Sequence, residues 1–229
     1  MERRKQTPPP KLHIERHPFN SNVGALSIGH NTSRIIVGTF PAYEVVNSKS
    51  VQMNFYYGSR DNSFWDLLQE AMGKSFEIDE EVVQDFLMEN KIGIIDMIEK
   101  CYRKVNRSSK DKDLAIVEQL DFIHLIQNCP CRSFYTTSKM VTSLILKQLR
   151  PVVRDLHSKT TEHNGFPCLE VSFCFLLDGN QYKIYIFNLY SPGPNGLRGM
   201  QKGLNGDGRT DLSAVDIRKM QYSKLMSNH

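Results

Sequence analysis

The sequence predicts an α/β protein with a mostly parallel sheet. Three observations carry that expectation. The chain has 229 residues, enough for one domain with a sizeable core. Short β-branched apolar runs at 33–40, 133–137 and 182–189 are interleaved with amphipathic helical segments, the pattern of strand and helix in alternation. Asp178-Gly179 between two apolar runs is a hairpin signal that adds an antiparallel edge.

Taken in order, residues 1–20 are polar and Pro-rich and read as an N-terminal arm or strap, with 21–229 as a single domain. The run 33–40 is β-branched and bounded by Gly38, so it reads as a central strand. Asn62 or Ser63 suits the N-cap of a helix over 64–72, in which Phe64, Leu67, Leu68 and Ala71 recur at helical spacing. Asp79 opens a second helix carrying Val82, Phe86 and Leu87. The apolar run 92–98 fits strand or helix, and the expectation here is a helix from about Ile95. The charged stretch 103–113 reads as a surface loop and 120–127 as a short helix. Residues 133–137 read as a strand, followed by a helix over 138–149 that stops before Pro151. The runs 168–177 and 182–189 are strands, and 213–226 is a final helix.

Composition excludes several classes. No window approaches the roughly 18 apolar residues of a membrane span, and the basic N-terminus lacks the apolar core of a secretory signal. An intracellular protein, monomeric and off the membrane, is expected. The five cysteines, Cys101, Cys129, Cys131, Cys168 and Cys174, are odd in number and scattered, which reads as buried reduced thiols. The Cys129-Pro130-Cys131 spacing is too tight for a zinc pair, the histidines lack metal spacing, and the Gly-rich stretch at Asp207-Gly208 lacks the spaced ligands of a calcium loop. No metal or cofactor is expected. The formal charge is +4 and uneven: Arg3, Arg4, Lys5 and Lys11 load the start, and Arg198, Lys202 and Arg209 follow the last strand. Local basic patches of this kind suit phosphate contact.

Three segments carry the chemistry. Ile-Ile-Val-Gly-Thr-Phe-Pro at 35–41 is a strand leaving through a Gly turn. Phe-Tyr-Tyr-Gly-Ser-Arg-Asp-Asn-Ser-Phe-Trp at 55–65 sets aromatics and an amide before a helix. Ser-Pro-Gly-Pro-Asn-Gly at 191–196 follows the last strand. In open α/β sheets ligands sit beyond the carboxyl ends of the strands, which places the first and third segments in one pocket. A flat base can stack on an aromatic and an amide can hold a water, the requirements of chemistry on a base drawn out of the stack.

These segments resemble the motifs of the uracil-DNA glycosylase superfamily, in the hypoxanthine-DNA glycosylase and mismatch-specific branches. There an aromatic stands five residues before an Asn and Phe-Trp opens the next helix, a spacing matched by Tyr57, Asn62, Phe64 and Trp65. Lys-Ile-Gly-Ile-Ile-Asp-Met-Ile-Glu-Lys-Cys at 91–101 resembles the apolar segment ending in Asp of the hypoxanthine-type branch, with Lys91 where that branch has Gly. The Ser191 loop is similar to the third motif, which enters the minor groove.

The resemblance implies a three-layer α/β/α sandwich with a short central sheet, and a monofunctional glycosylase that cleaves the N-glycosidic bond of uracil or hypoxanthine flipped from duplex or single-stranded DNA. On that reading Asn62 is the catalytic residue and holds the water or the base edge. Tyr57 stacks on the base, and the backbone of Thr39 and Phe40 reaches a base carbonyl. Ser191, Pro192, Gly193, Pro194, Asn195, Leu197 and Arg198 contact DNA, with Pro194 or Leu197 as a wedge. The sequence also departs from the pattern. Phe40 stands where mismatch-specific enzymes carry Asn, Tyr190 replaces the His of the third motif, and Ser59-Arg60-Asp61 replaces the His-Pro-Arg before the Asn. These departures keep open a catalytically inactive DNA-binding protein on the same fold and, further off, a hydrolase of free nucleosides. Asn62 also suits the bare role of helix cap.

Overall fold

Four short parallel strands, extended by an antiparallel pair, form the middle layer of a three-layer α/β/α sandwich. The computed structural model describes residues 13–20, 28, 31–47, 51–163, 166–176, 179–194, 196–197 and 213–227. In chain order its elements are β1 (Glu15–Arg16), β2 (Arg34–Gly38), α1 (Tyr43–Val46), α2 (Phe64–Met72), α3 (Glu80–Glu89), β3 (Ile92–Asp96), β4 (Ile98–Arg103), a 3-10 turn (Asp111–Asp113), β5 (Leu114–Gln119), α4 (Phe122–Asn128), β6 (Ser133–Thr136), α5 (Lys139–Leu149), β7 (Val153–His163), β8 (Phe166–Phe175), β9 (Gln181–Asn188) and α6 (Ala214–Ser227). The main sheet has the order β3-β2-β6-β9-β8-β7, and a second, antiparallel sheet has the order β1-β4-β5.

The parallel strands are held by their apolar residues. Ile35, Ile36 and Val37 have no exposed surface, and in register beside Ile36 lie Ile94 on one side and Tyr135 on the other. Burying each such aliphatic side chain contributes about 1.5–3 kcal/mol. Helix α2 forms because Phe64, Leu67 and Leu68 make one buried stripe, and it stops where Gly73 takes a left-handed φ of +62°. Asp79 caps α3 by accepting from the Glu81 N–H at 3.0 Å, and Ser138 caps α5 through the Val141 N–H at 3.3 Å. Helix α6 packs against α2, so the end of the described chain supports the helix that follows the Tyr57–Asn62 segment.

The structure corrects some sequence expectations and adds to others. Residues Ile92–Asp96 are a strand parallel to β2, not the start of a helix. Every residue of β3 is buried, so its apolar positions mark no face and the run lacks periodicity of either kind. The stretch read as an arm is built into the molecule as far as it is described. β1 pairs with β4, and His17, Phe19 and Asn20 are buried. The stretch 103–113 begins inside a strand: the Arg103 side chain lies in a near-buried ion pair with Glu15 at 2.9 Å and donates to the Pro41 carbonyl at 2.9 Å. Strands β4, β5 and β7 were not anticipated. The β8–β9 hairpin does form, with Gly179 at φ +69°, while Asp178 lies outside the described residues. All five cysteines are buried free thiols. No described helix is long and apolar enough to cross a membrane.

Candidate functional site

A cavity of about 840 Å³ opens beyond the carboxyl ends of all four parallel strands. Each strand delivers residues to it: Thr39 and Phe40 after β2, Asp96 at the end of β3, Thr137 and Ser138 after β6, and Ser191 to Pro194 after β9. The size falls within the roughly 300–1,000 Å³ of small-molecule sites. Sheet topology alone accounts for this convergence, since parallel strands present all their carboxyl ends on one side.

Tyr57 and Asn62 enter from the segment before α2. Tyr57 holds a left-handed φ of +57°, uncommon for a residue with a side chain. Its ring stacks on Phe64, with centroids 4.0 Å apart and planes at 16°. One ring face is thus already covered, and the residue still lines the cavity. The hydroxyl is buried and makes no well-formed hydrogen bond, Thr137 being its polar neighbour. Burial, with the Asp96 charge adding to it, pushes this phenol well above its ordinary range, so it is a neutral O–H. Tyr56 is core: its hydroxyl donates to Asn20 Oδ1 at 2.7 Å and its carbonyl accepts from Trp65 Nε1 at 3.0 Å. Asn62 Oδ1 accepts from the Phe64 N–H at 3.0 Å, an Asx turn that starts α2. The amide nitrogen of Asn62 donates to no other described residue, and the side chain lines the cavity.

The Ser191 loop is tied to the Asn62 segment. The Pro192 carbonyl accepts from Ser63 Oγ at 2.9 Å and from the Ser63 N–H at 3.3 Å. Buried Arg218 of α6 donates to the carbonyls of Ser191 and, at 3.0 Å, Gly193. Gly196 is required by this turn, because a Cβ there would stand 2.4 Å from the Ser191 carbonyl oxygen. Ser191, Pro192, Gly193 and Pro194 all line the cavity. Leu197 does not: it packs on Ala214 at the start of α6. Asn195 and Arg198, with Lys202 and Arg209, lie outside the described residues.

Two carboxylates form the inner wall, and the sequence reading assigned neither a role in the site. Asp96 is 5% exposed. Its Oδ2 is 3.0 Å from His17 Nε2. His17 Nδ1 accepts from the backbone N–H groups of Phe19 (3.1 Å) and Asn20 (2.9 Å), which assigns the proton to Nε2 and makes Asp96 the acceptor. Asn20 grips the Asp96 main chain at both ends, its amide donating to the carbonyl at 2.8 Å and its oxygen accepting from the N–H at 3.2 Å. Gly38 has to be glycine here, because a Cβ would stand 2.0 Å from Asp96 Oδ1. Asp111 reaches in from the charged stretch, its Oδ2 accepting from Thr39 Oγ1 at 3.1 Å. Burial raises the Asp111 carboxyl above its ordinary range; hydrogen bonds from Thr39 and Ser138 oppose this and the Asp96 charge adds to it. With its hydroxyl so engaged, Thr39 has only its main chain to offer a ligand. Phe40 is half-buried, meets His17 edge-on at 5.6 Å between centroids, and lies under the Arg103 guanidinium.

Exposed Arg107, Lys110 and Lys112 stand at the cavity rim, and none of them is in an ion pair among the described residues. The described residues hold no cluster of three His, Cys, Asp or Glu that would bind a metal ion.

Over 87 residues, 38% of this chain, the sequence is 32% identical to a hypoxanthine DNA glycosylase of Methanosarcina barkeri (strain Fusaro / DSM 804). The alignment covers 52% of that protein, so the chain spans about half the length of the curated relative it matches. No protein-family profile matches the chain, and no solved structure does.

Proposed function

We propose that the protein is a DNA glycosylase of the uracil-DNA glycosylase superfamily that hydrolyses the N-glycosidic bond of a deaminated base, uracil or hypoxanthine, flipped out of DNA. The observation that carries this reading is the meeting of Tyr57, Phe40, Asn62 and the Ser191 loop around one cavity at the carboxyl end of the sheet. The partial likeness to a hypoxanthine DNA glycosylase agrees with it. An intracellular enzyme acting on DNA, monomeric and needing no cofactor, is the corresponding whole-protein reading.

The chemistry follows from what the cavity presents. The base lodges against the Tyr57 ring, a contact worth about 1–3 kcal/mol per stacked base. The free amide of Asn62 donates to the base edge or holds the attacking water, and the backbone at Thr39 and Phe40 meets a base carbonyl. Stabilising the negative charge that develops on the leaving base is the main electrostatic task, and fixed donors in a water-poor site perform it well. Ser191 to Pro194, anchored through Ser63 and Arg218, hold the strand while the nucleotide is extruded.

The test is incubation with duplexes carrying deoxyuridine, deoxyinosine or deoxyxanthosine, followed by alkaline cleavage at abasic sites. Cleavage at one of the three is expected. Salt-dependent binding with no cleavage of any would instead establish the non-catalytic DNA-binding protein.

A further inference from the structure

We propose that Asp111 is a specificity-determining residue of this site, the acceptor that reads the ring N–H by which a deaminated base differs from its parent. The assignment rests on the glycosylase reading above and deepens it.

Deamination reverses the polarity of a base edge. Cytosine and adenine present an amino donor beside a bare ring nitrogen, which is an acceptor. Uracil and hypoxanthine present a carbonyl acceptor beside a ring N–H donor. A flipped base is read along this edge, so a pocket that takes the products and refuses the parents needs an acceptor set near a donor. The Asn62 amide supplies the donor, since its nitrogen donates to no other described residue.

Four carboxylates line the cavity, and three of them are poorly placed to be that acceptor. Asp61 is exposed. Glu44 stands on α1 with exposed Ser109 as its partner, Oγ to Oε2 at 3.4 Å. Asp96 is 5% exposed, with Oδ2 held by His17 and Oδ1 lodged in the space left by the missing side chain of Gly38. Asp111 is half-buried and keeps accessible surface. The Thr39 and Ser138 hydroxyls take two of its roughly four lone-pair positions and fix it where β2 and β6 end. Acceptor capacity is left over for a ligand.

Two further observations separate this role from bland ones. Asp111 lies between Lys110 and Lys112, yet it forms no ion pair among the described residues and reaches inward to Thr39 instead. A solvated surface acid has no reason to leave two cationic neighbours. Its segment is also fastened without it. The Asp113 carbonyl accepts from the Lys104 N–H at 2.7 Å, the Asp113 carboxylate accepts from Ser108 Oγ at 2.5 Å, and Ser109 Oγ accepts from the Tyr43 N–H at 3.1 Å. A partly desolvated carboxyl with spare acceptor positions rewards an arriving N–H and penalises a base that lacks one.

The test removes that N–H alone. Deoxyuridine is compared with 3-methyldeoxyuridine and deoxyinosine with 1-methyldeoxyinosine, each placed opposite an abasic-site analogue so that pairing does not differ. Single-turnover base release is read by mass spectrometry, with the melting temperature of each protein taken on the same samples. The wild type is expected to release the methylated base at least about 30-fold more slowly than its parent. Asp111→Ala is expected to slow the parent and bring the two rates within about threefold of each other. In Asp111→Asn the amide oxygen stays with Thr39 and an N–H faces the base, so the same collapse of the ratio is expected without loss of stability. A packing or latching role would lower both rates together and leave the ratio as in the wild type; that result overturns the assignment while the glycosylase reading stands, as does a wild type that treats the two bases alike. If Asp111→Ala does not fold, the ratio in Asp111→Asn decides. Absence of release by the wild type from every lesion overturns the glycosylase reading, and the assignment with it.

Discussion

At the scale of single residues, the cap that Asn62 makes and the part in base release proposed for it can be separated. The Asn62 oxygen accepts from the Phe64 N–H and starts α2, while its nitrogen donates to no other described residue and the residue lines the cavity. Asn62→Ala removes both and is expected to cost about 1 kcal/mol through the missing cap, a fall of roughly 2–4 °C in melting temperature, together with base release. Asn62→Asp keeps the acceptor and places a negative charge near a helix N-terminus, where it is tolerated. Calorimetry is expected to show near-wild-type stability for Asn62→Asp while base release is still abolished. Full activity in either variant would reduce Asn62 to a cap. Asp111 gives a pH signature. Burial raises its carboxyl in the folded protein above the unfolded value of 3.8, so the folded state holds this proton to higher pH. Stability linked to it is therefore present at acid pH and lost as pH rises from about 3.8 through the raised value. Asp111→Asn is expected to melt higher than wild type at pH 7, with the gap closing as the pH is lowered. Asn62 and Tyr57 were legible in the sequence because their spacing to Phe64-Trp65 is local. His17 and Asp111 were not, since each acts with partners that are distant in the chain, Asp96 and Thr39.

At the scale of elements, the segment ending at Asn20 belongs to the site. Asn20 joins Tyr56, the Asp96 main chain and, at 2.8 Å, Glu99. Asn20→Ala strands several buried polar groups at once, each worth roughly 1–3 kcal/mol. A destabilisation of about 3 kcal/mol or more, read from the urea midpoint, is expected; a value below about 1 kcal/mol would show the segment to be loosely docked. The same segment shows where sequence reading falls short. A polar, Pro-rich stretch reads as an arm by composition, and its docking depends on a backbone pairing with β4 that no local pattern encodes. The β3 run was ambiguous because complete burial erases periodicity, and helices α2, α3 and α5 were legible because each has one buried stripe and a cap residue at its start.

At the scale of the whole molecule, the parallel sheet explains why motifs far apart in the chain meet. Order β3-β2-β6-β9 places four carboxyl ends side by side, and the Ser63–Pro192 bonds join the Asn62 segment to the Ser191 loop. The interleaving of strands and helices made the sheet legible; the order of its strands was not, because register between distant runs is set by packing. The rim cations belong to this scale too. Arg107, Lys110 and Lys112 stand exposed at the mouth. Replacing all three by Gln is expected to flatten the salt dependence of duplex binding by about one unit of log–log slope for each phosphate no longer neutralised, up to about three. An unchanged slope would place the DNA elsewhere.

Whether a base leaves DNA in this cavity decides the function. The direct measurement is mass-spectrometric detection of free uracil, hypoxanthine or xanthine released from lesion-bearing duplexes by the wild type and by Asn62→Ala in parallel. Free base from the wild type, with none from Asn62→Ala, is the predicted result. No free base from any duplex, or equal release by the two proteins, would contradict it.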